Sequence, residues 1–224
     1  MRADRGRYGG KSSRCDRGEV RESSALLMFR YILGKEIKMG QSQNDVALGR
    51  FLSLVLRHNP SAAFLTLDPH GWADVDDLIA GCCRAGKSID RETLERIVRE
   101  NEKKRYSFNE DHTKIRANQG HSIQVDLEFV SQTPPDRLYH GTASRFLDSI
   151  RREGITRQSR QYVHLSRDEA TAQQVGSRHG NPVVLTIDAA RMHDDGYEFF
   201  LAQNGVWLCH EVPWRYVLGQ KTED

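Results

Sequence analysis

Apolar residues recur with two rhythms along this chain, and the change between them divides it. Leu48, Phe51, Leu52, Val55 and Leu56 keep the 3.6-residue spacing of a buried helix face behind Asn44 or Asp45, either of which can cap it, and Pro60 stops the run. Val75, Leu78 and Ile79 predict a second helix over Asp74 to Arg84. Leu94, Ile97 and Val98 predict a third, capped by Asp90 and reaching about Asn101. Arg105 to Phe108 and Lys114 to Arg116 then alternate across the polar turn Asn109 to His112, which reads as a hairpin. Three helices and a hairpin predict a winged-helix-like lobe.

Ser131-Gln132-Thr133-Pro134-Pro135 has linker chemistry, and after it the rhythm shortens. Strands are predicted at Leu138 to His140, Val163 to Leu165, Val183 to Ile187, Glu198 to Leu201 and Val206 to Leu208, with helices at Ser144 to Arg152 and Asp168 to Ser177. Because strands and helices do not alternate strictly, the fold class is α+β, without a doubly wound sheet. The expected organisation is a tail over 1–40, a first lobe over 41–122, a linker over 123–137 and a second lobe over 138–224.

Composition changes this picture little. A formal net charge of +2 gives no bulk field for nucleic acid, so any such partner needs a local basic patch. Cys15, Cys82, Cys83 and Cys209 have neither the number nor the spacing of a disulfide framework or a zinc site, which points to a reducing cytoplasm. No apolar run approaches the ~20 residues of a membrane span. The Arg-, Gly- and Ser-rich stretch 1–40 reads as a non-catalytic tail ahead of Met39, and its acids Asp4, Asp16, Glu19 and Glu22 argue against a transit peptide.

The candidate chemistry is basic and poor in carboxylates: Arg57-His58, Lys103-Lys104-Arg105, Gln119-Gly120-His121-Ser122, His140-Gly141-Thr142, Arg160 and His164-Leu165-Ser166. Guanidinium groups pair with phosphate oxygens through two parallel donors and keep their charge, so the set suits work on a phosphate and suits a glycosidase or metal hydrolase poorly. Each piece alone has an ordinary reading: Arg57 as a cation ending a helix, His140 and His164 as strand-edge hydrogen-bonders, Gln119 to Ser122 as a polar turn. Gly81 to Ser88 also fits the P-loop pattern, with Val183 to Asp188 as the accompanying strand and acid. The segment before it has helical spacing and three acids, so it is expected to be a helix–helix turn, leaving a P-loop kinase as the runner-up.

Taken in order and spacing, Leu52 to His58, Leu67 to Trp72, Asn101 to Tyr106, Ile115 to Ser122, Leu138 to Thr142, Val163 to Ser166, Val175 to Gly180 and Asn204 to Leu208 resemble the RNA 2′-phosphotransferases, over roughly Asn44 to Leu218. The resemblance implies a winged-helix-like RNA lobe followed by an ADP-ribosyltransferase-like NAD lobe, NAD consumed as co-substrate, and no metal. It implies transfer of an internal RNA 2′-phosphate to NAD through an ADP-ribosylated RNA, giving 2′-OH RNA, ADP-ribose 1″,2″-cyclic phosphate and nicotinamide. The expected partner is RNA, with tRNA as the family's carrier, and a monomer is the default.

Carried over residue by residue, the resemblance makes Arg57, His58, Arg105 and Arg160 catalytic. His58 handles a proton, either for the attacking ribose hydroxyl or for the departing RNA oxygen, and its helix-end position is expected to favour the charged ring. His140, Gly141, Thr142, His164, Leu165 and Ser166 bind NAD, with His140 at a strand end where Gly141 admits the ligand, and Gly176 and Arg178 line the same pocket. Lys103, Lys104, Gln119 and His121 face RNA. The chain departs from the family at Tyr162, where members commonly have His, and at Pro213-Trp214, where they have two prolines. A winged-helix RNA binder without catalysis stays open as a third reading.

Overall fold

The helical rhythm and the strand rhythm each bury their own apolar core in a computed structural model that describes residues 43–222. The tail over 1–40 lies outside the described residues. The first core is built by α1 (43–57), β1 (Trp72–Asp74), α2 (Val75–Arg84), α3 (Arg91–Glu100), β2 (Tyr106–Phe108) and β3 (Lys114–Ala117). Leu48, Leu52, Val55 and Leu56 of α1 meet Val75, Leu78, Leu94, Ile97 and Ile115, all buried. Asp74 and Asp90 cap α2 and α3, accepting from the backbone N–H of Asp76 and Asp77 and of Thr93.

The expected cap of α1 is displaced. The chain is already helical at residue 43, and the Asp45 carboxylate instead pairs with Arg96 of α3 at 2.9 Å. An acid in a first turn serves helix dipole and partner alike, so sequence spacing did not separate the two roles. The expected hairpin forms and gains a third strand, for β1 pairs antiparallel with β3 to give the order β1-β3-β2. Three residues of strand are too few to show alternation.

The second core comprises β4 (Arg137–Ala143), α4 (Leu147–Glu153), β5 (Ile155–Thr156), β6 (Val163–Leu165), α5 (Glu169–Gly176), β7 (Pro182–Asp188), α6 (Ala189–Asp194), β8 (Phe200–Leu201), β9 (Trp207–Cys209), β10 (Glu211–Val212) and β11 (Val217–Thr222). They pair as β11-β7-β4, β6-β9-β8 and β10-β5, all antiparallel, which excludes a doubly wound sheet. The chain is therefore mixed α/β, with small antiparallel sheets and six helices among the described residues. Sequence spacing missed α6, β5, β10 and β11, and placed the α4 start too early, at Ser144, where a short 3₁₀ turn over Ser144–Phe146 intervenes.

Between the cores, residues 118–136 are mostly irregular but pinned: Leu127 is buried and Ser131 bridges to Phe200. The Pro-rich stretch thus does not swing free. Gly81 to Arg84 complete α2, and Gly81 packs where a Cβ would overlap the Ala63 carbonyl. No strand runs into this segment, and the next helix N-terminus already holds the Asp90 carboxylate. A P-loop needs the reverse on both counts, so the kinase reading is overturned.

Candidate active site

Arg57 is the last helical residue of α1, and its carbonyl accepts from the N–H of Ser122 at 3.0 Å and of Ile123 at 3.4 Å. The segment after β3 is thereby strapped across the end of the helix. Gly120 sits in this strap with φ +88, a left-handed conformation open to glycine, and a Cβ there would lie 3.4 Å from Arg57 Nη1 and 3.8 Å from His164 Nε2. Gly120 therefore marks where a group from each core meets.

The Arg57 guanidinium donates through Nη2 to the Arg105 carbonyl at 3.4 Å, while its Nε is buried without a partner. Burial pushes its pKa down to about 10; Tyr106 pulls the other way, and Arg105 and Arg160 add to the fall. Arg105 is held by Asn101, whose side-chain oxygen accepts from its backbone N–H at 3.2 Å and from Nη1 at 3.3 Å. Neither Arg57, Arg105 nor Arg160 makes an ion pair among the described residues.

His58 stands at the end of α1 with Nδ1 2.9 Å from the Ser122 hydroxyl. Its pKa lies below that of a free imidazole, first through loss of hydration and then through Arg57 and Arg160. This reverses the expectation from the helix dipole. Loss of hydration, with two full positive charges nearby, outweighs the fractional negative charge of a helix end and disfavours the charged ring.

From the second core, the pair Tyr139 and Ser166 exchange backbone hydrogen bonds of 2.9 and 2.7 Å and set β6 beside β4. His140 and His164 are thus neighbours, with His140 Nδ1 3.1 Å from the His164 carbonyl. His140 is in the middle of β4, not at its end as expected, because that strand runs on to Ala143. Arg160 Nη1 donates to His164 Nδ1 at 3.4 Å, which places the proton of a neutral ring on Nε2. That Nε2 is buried with no partner, and burial, then Arg160, Arg57 and His140, push the pKa of the ring to about 3. Burial also lowers His140.

No carboxylate is among the groups that shift Arg57, His58, His140, Arg160 or His164. Three cations without counter-ions, and two buried donors, Arg57 Nε and His164 Nε2, without acceptors, make a site for an anionic ligand. Among the described residues no group of three or more His, Cys, Asp or Glu side chains is placed to hold a metal ion.

The remaining expected residues separate into two groups. Ser166 and Gln119 are half-buried, and Lys103, Lys104 and Arg178 are exposed, with Arg178 close enough to lower the pKa of Lys103 after loss of hydration. Thr142 and Leu165 are buried, and the space before Gly141 is filled by α5: a Cβ there would overlap the Ala172 carbonyl, and one at Gly176 would sit 2.6 Å from the Thr142 oxygen. These glycines seat the helix on the strand. His121, expected to face RNA, is 1% exposed with both ring nitrogens unpaired, and burial, then Arg57 and His58, push it to about pKa 4. It packs behind Arg57 and does not reach solvent.

Sequence reasoning placed Gly120 and Ser122 only as part of a turn facing RNA or the cleft between the lobes, and gave no role to Asn101 or Asn118, although Asn118 donates to the Lys104 carbonyl at 2.7 Å and from its N–H to that of Arg105 at 2.9 Å. The Gln-Gly-His order was the available signal for Gly120, since a lone Gly between polar residues marks positive φ. The asparagines act through backbone groups, which leave no trace in residue type.

The family model for RNA 2′-phosphotransferase, Tpt1/KptA family, matches residues 43–211. A protein of Fusobacterium nucleatum named "Probable RNA 2′-phosphotransferase" is 54% identical over 175 residues, 78% of this chain and 98% of its own length. Proteins of the same name from Flavobacterium johnsoniae and Escherichia coli O6:K15:H31 are 50% and 53% identical, over 76% and 73% of this chain and 94% and 89% of theirs. The acid-free cluster of arginines and histidines thus stands within the matched stretch, and the chain belongs to the RNA 2′-phosphotransferase family.

Proposed function

We propose that this protein removes an internal 2′-phosphate from RNA, tRNA being one such carrier, with NAD as the acceptor and no metal. The observation that carries the reading is the convergence of Arg57, Arg105 and Arg160 on one acid-free region next to a neutral His58. The order α1-β1-α2-α3-β2-β3 supports a winged-helix-like RNA lobe, and the strands and helices of the second core an ADP-ribosyltransferase-like lobe. His140, with the orphaned Nε2 of His164, fits an oxygen-rich ligand on the second-core side and would hold NAD there.

The NAD ribose supplies the acceptor, taking the phosphate through an ADP-ribosylated RNA and leaving as ADP-ribose 1″,2″-cyclic phosphate after loss of nicotinamide. The three guanidiniums hold the 2′-phosphate in line and then stabilise the charge that grows on its oxygens during transfer from RNA. His58 enters neutral, with Nδ1 turned to Ser122, so Nε2 can take the proton of the attacking hydroxyl and return it to the departing 2′-oxygen. Gln119, Lys103 and Lys104 contribute backbone contacts to RNA on this reading.

A 2′-phosphorylated oligoribonucleotide incubated with the protein should lose its phosphate with NAD and keep it with ATP or with no addition. Arg105→Ala should slow release of the RNA from its ADP-ribosylated form by ~10²–10³ and build up ADP-ribosylated RNA visible on a gel. Phosphate loss without NAD would refute the reading.

A further inference from the structure

We infer that Gln203 and Asn204, at the tip of the β8–β9 turn, are positioning residues for Arg105, acting from the second core on the first. The turn is itself fixed. Ala202 and Val206 are joined by a 2.9 Å backbone hydrogen bond, Gly205 takes φ +79 and returns its N–H to the Ala202 carbonyl at 2.8 Å, and Asn204 Oδ1 accepts from Val206 N–H at 3.5 Å. Two side chains project from it across the boundary. Asn204 Nδ2 donates to the Lys103 carbonyl at 3.3 Å, and Gln203 Oε1 accepts from the Ser107 hydroxyl at 2.8 Å.

These two contacts bracket Arg105, one two residues before it and the other two after. The first half of the bracketed stretch lies at the surface: Lys103 and Lys104 are exposed, and Lys104 has φ +40, a left-handed conformation a lysine adopts at a cost. Inside the first core the stretch is held by Asn101 and Asn118, by the Arg57 guanidinium on the Arg105 carbonyl, and by the pairing of β2 with β3 from Tyr106 onward. Those contacts fix Arg105 relative to Arg57 but say nothing of Arg160, which belongs to the other core. The β8–β9 turn supplies that reference, because its strands share a sheet with β6, the strand that begins just after Arg160. The hydrogen bonds of Gln203 and Asn204 therefore set the separation of two of the phosphate-holding arginines, and the residues need not touch substrate to do so.

The inference rests on the proposed phosphate site, and the test separates the two. Asn204→Asp keeps the acceptor for Val206 and removes the donor to Lys103; Ser107→Ala removes the donor to Gln203; Ser107→Thr restores a hydroxyl. The affinities of 2′-phosphorylated and 2′-OH oligoribonucleotides are measured for wild type, for the Ser107→Ala/Asn204→Asp protein, and for both in an Arg105→Ala background. The double variant should weaken binding of the phosphorylated RNA by roughly tenfold, the scale expected for a misplaced gripping group, and leave the 2′-OH RNA unchanged. In the Arg105→Ala background it should add less than about twofold, since residues acting through one another are not additive. An equal loss in that background, or no loss in either, overturns the inference. Equal binding of both RNAs by wild type would instead refute the phosphate reading. In that case backbone hydrogen exchange over residues 103–107 decides the positioning role alone: faster exchange in the double variant, reversed toward wild type by Ser107→Thr with Asn204 intact, supports it, and unchanged exchange overturns it.

Discussion

The two cores hold the arginines of the proposed phosphate site in different ways. Arg57 is half-buried at a helix end, with its carbonyl receiving two backbone donors and its guanidinium against the Arg105 carbonyl, so its placement is complete before any ligand arrives. Arg160 is exposed, follows a turn closed by its own N–H to the Arg157 carbonyl at 3.0 Å, and touches His164 through one 3.4 Å contact. The first guanidinium is thus held by more contacts than the second. Donors held in place before the ligand arrives cost no reorganisation during transfer, so Arg57 is the arginine on whose geometry the site depends most.

Substitution by lysine breaks this comparison most sharply. Arg57→Lys should lose ~10²–10³ in turnover, because a point charge cannot reproduce a planar fork already anchored on a carbonyl, whereas Arg160→Lys should lose clearly less. Steady-state rates on a 2′-phosphorylated RNA read the difference, and equal losses would show that the Arg160 guanidinium is held as rigidly as that of Arg57.

A smaller effect, graded with pH, comes from the histidines that the arginines surround. His121 and His164 are pushed to about 4 and about 3, while the unfolded chain takes protons near the ordinary imidazole value of about 6.5. The unfolded state thus binds more protons as pH falls below that value, so these groups cost stability progressively from about pH 6.5 down to about 3, and none above. Urea midpoints of the wild type should fall over that window, and those of His121→Gln should fall less steeply. The smallest effect is expected at Lys87, which is exposed with its Nζ 5.8 Å from the Phe51 ring centroid: Lys87→Ala should leave turnover unchanged and stability within ~0.5 kcal/mol by thermal unfolding.

Legibility in the sequence followed the same division. The helices of the first core were plain because amphipathic runs of ten residues or more leave a long record: α2 and α3 lie behind acid caps, and α1 ends with Arg57, just before His58. The second core was read less well: β5 and β10 are two residues each, below any period, and α6 follows directly on β7. At the site, residue types found the charged groups but not their state. The lowered pKa of His58 comes first from burial and then from Arg57 and the distant Arg160, and His121 reads as a surface histidine until the fold buries it. The contacts of Asn118 and Asn204 end on backbone oxygens, which every residue carries.

The seam between α5 and β4 has a consequence for how this molecule can change. At Gly141 and Gly176 backbone lies against backbone with no room for even a methyl group. A helix seated on side chains can drift outward through a series of slightly larger residues, each step tolerated; one seated on bare peptide has no first step. The depth of the second core beside His140 is thus inherited as a whole, and variation in what the site accepts must come from the rims, where Arg178 and the turn after β8 present side chains to solvent.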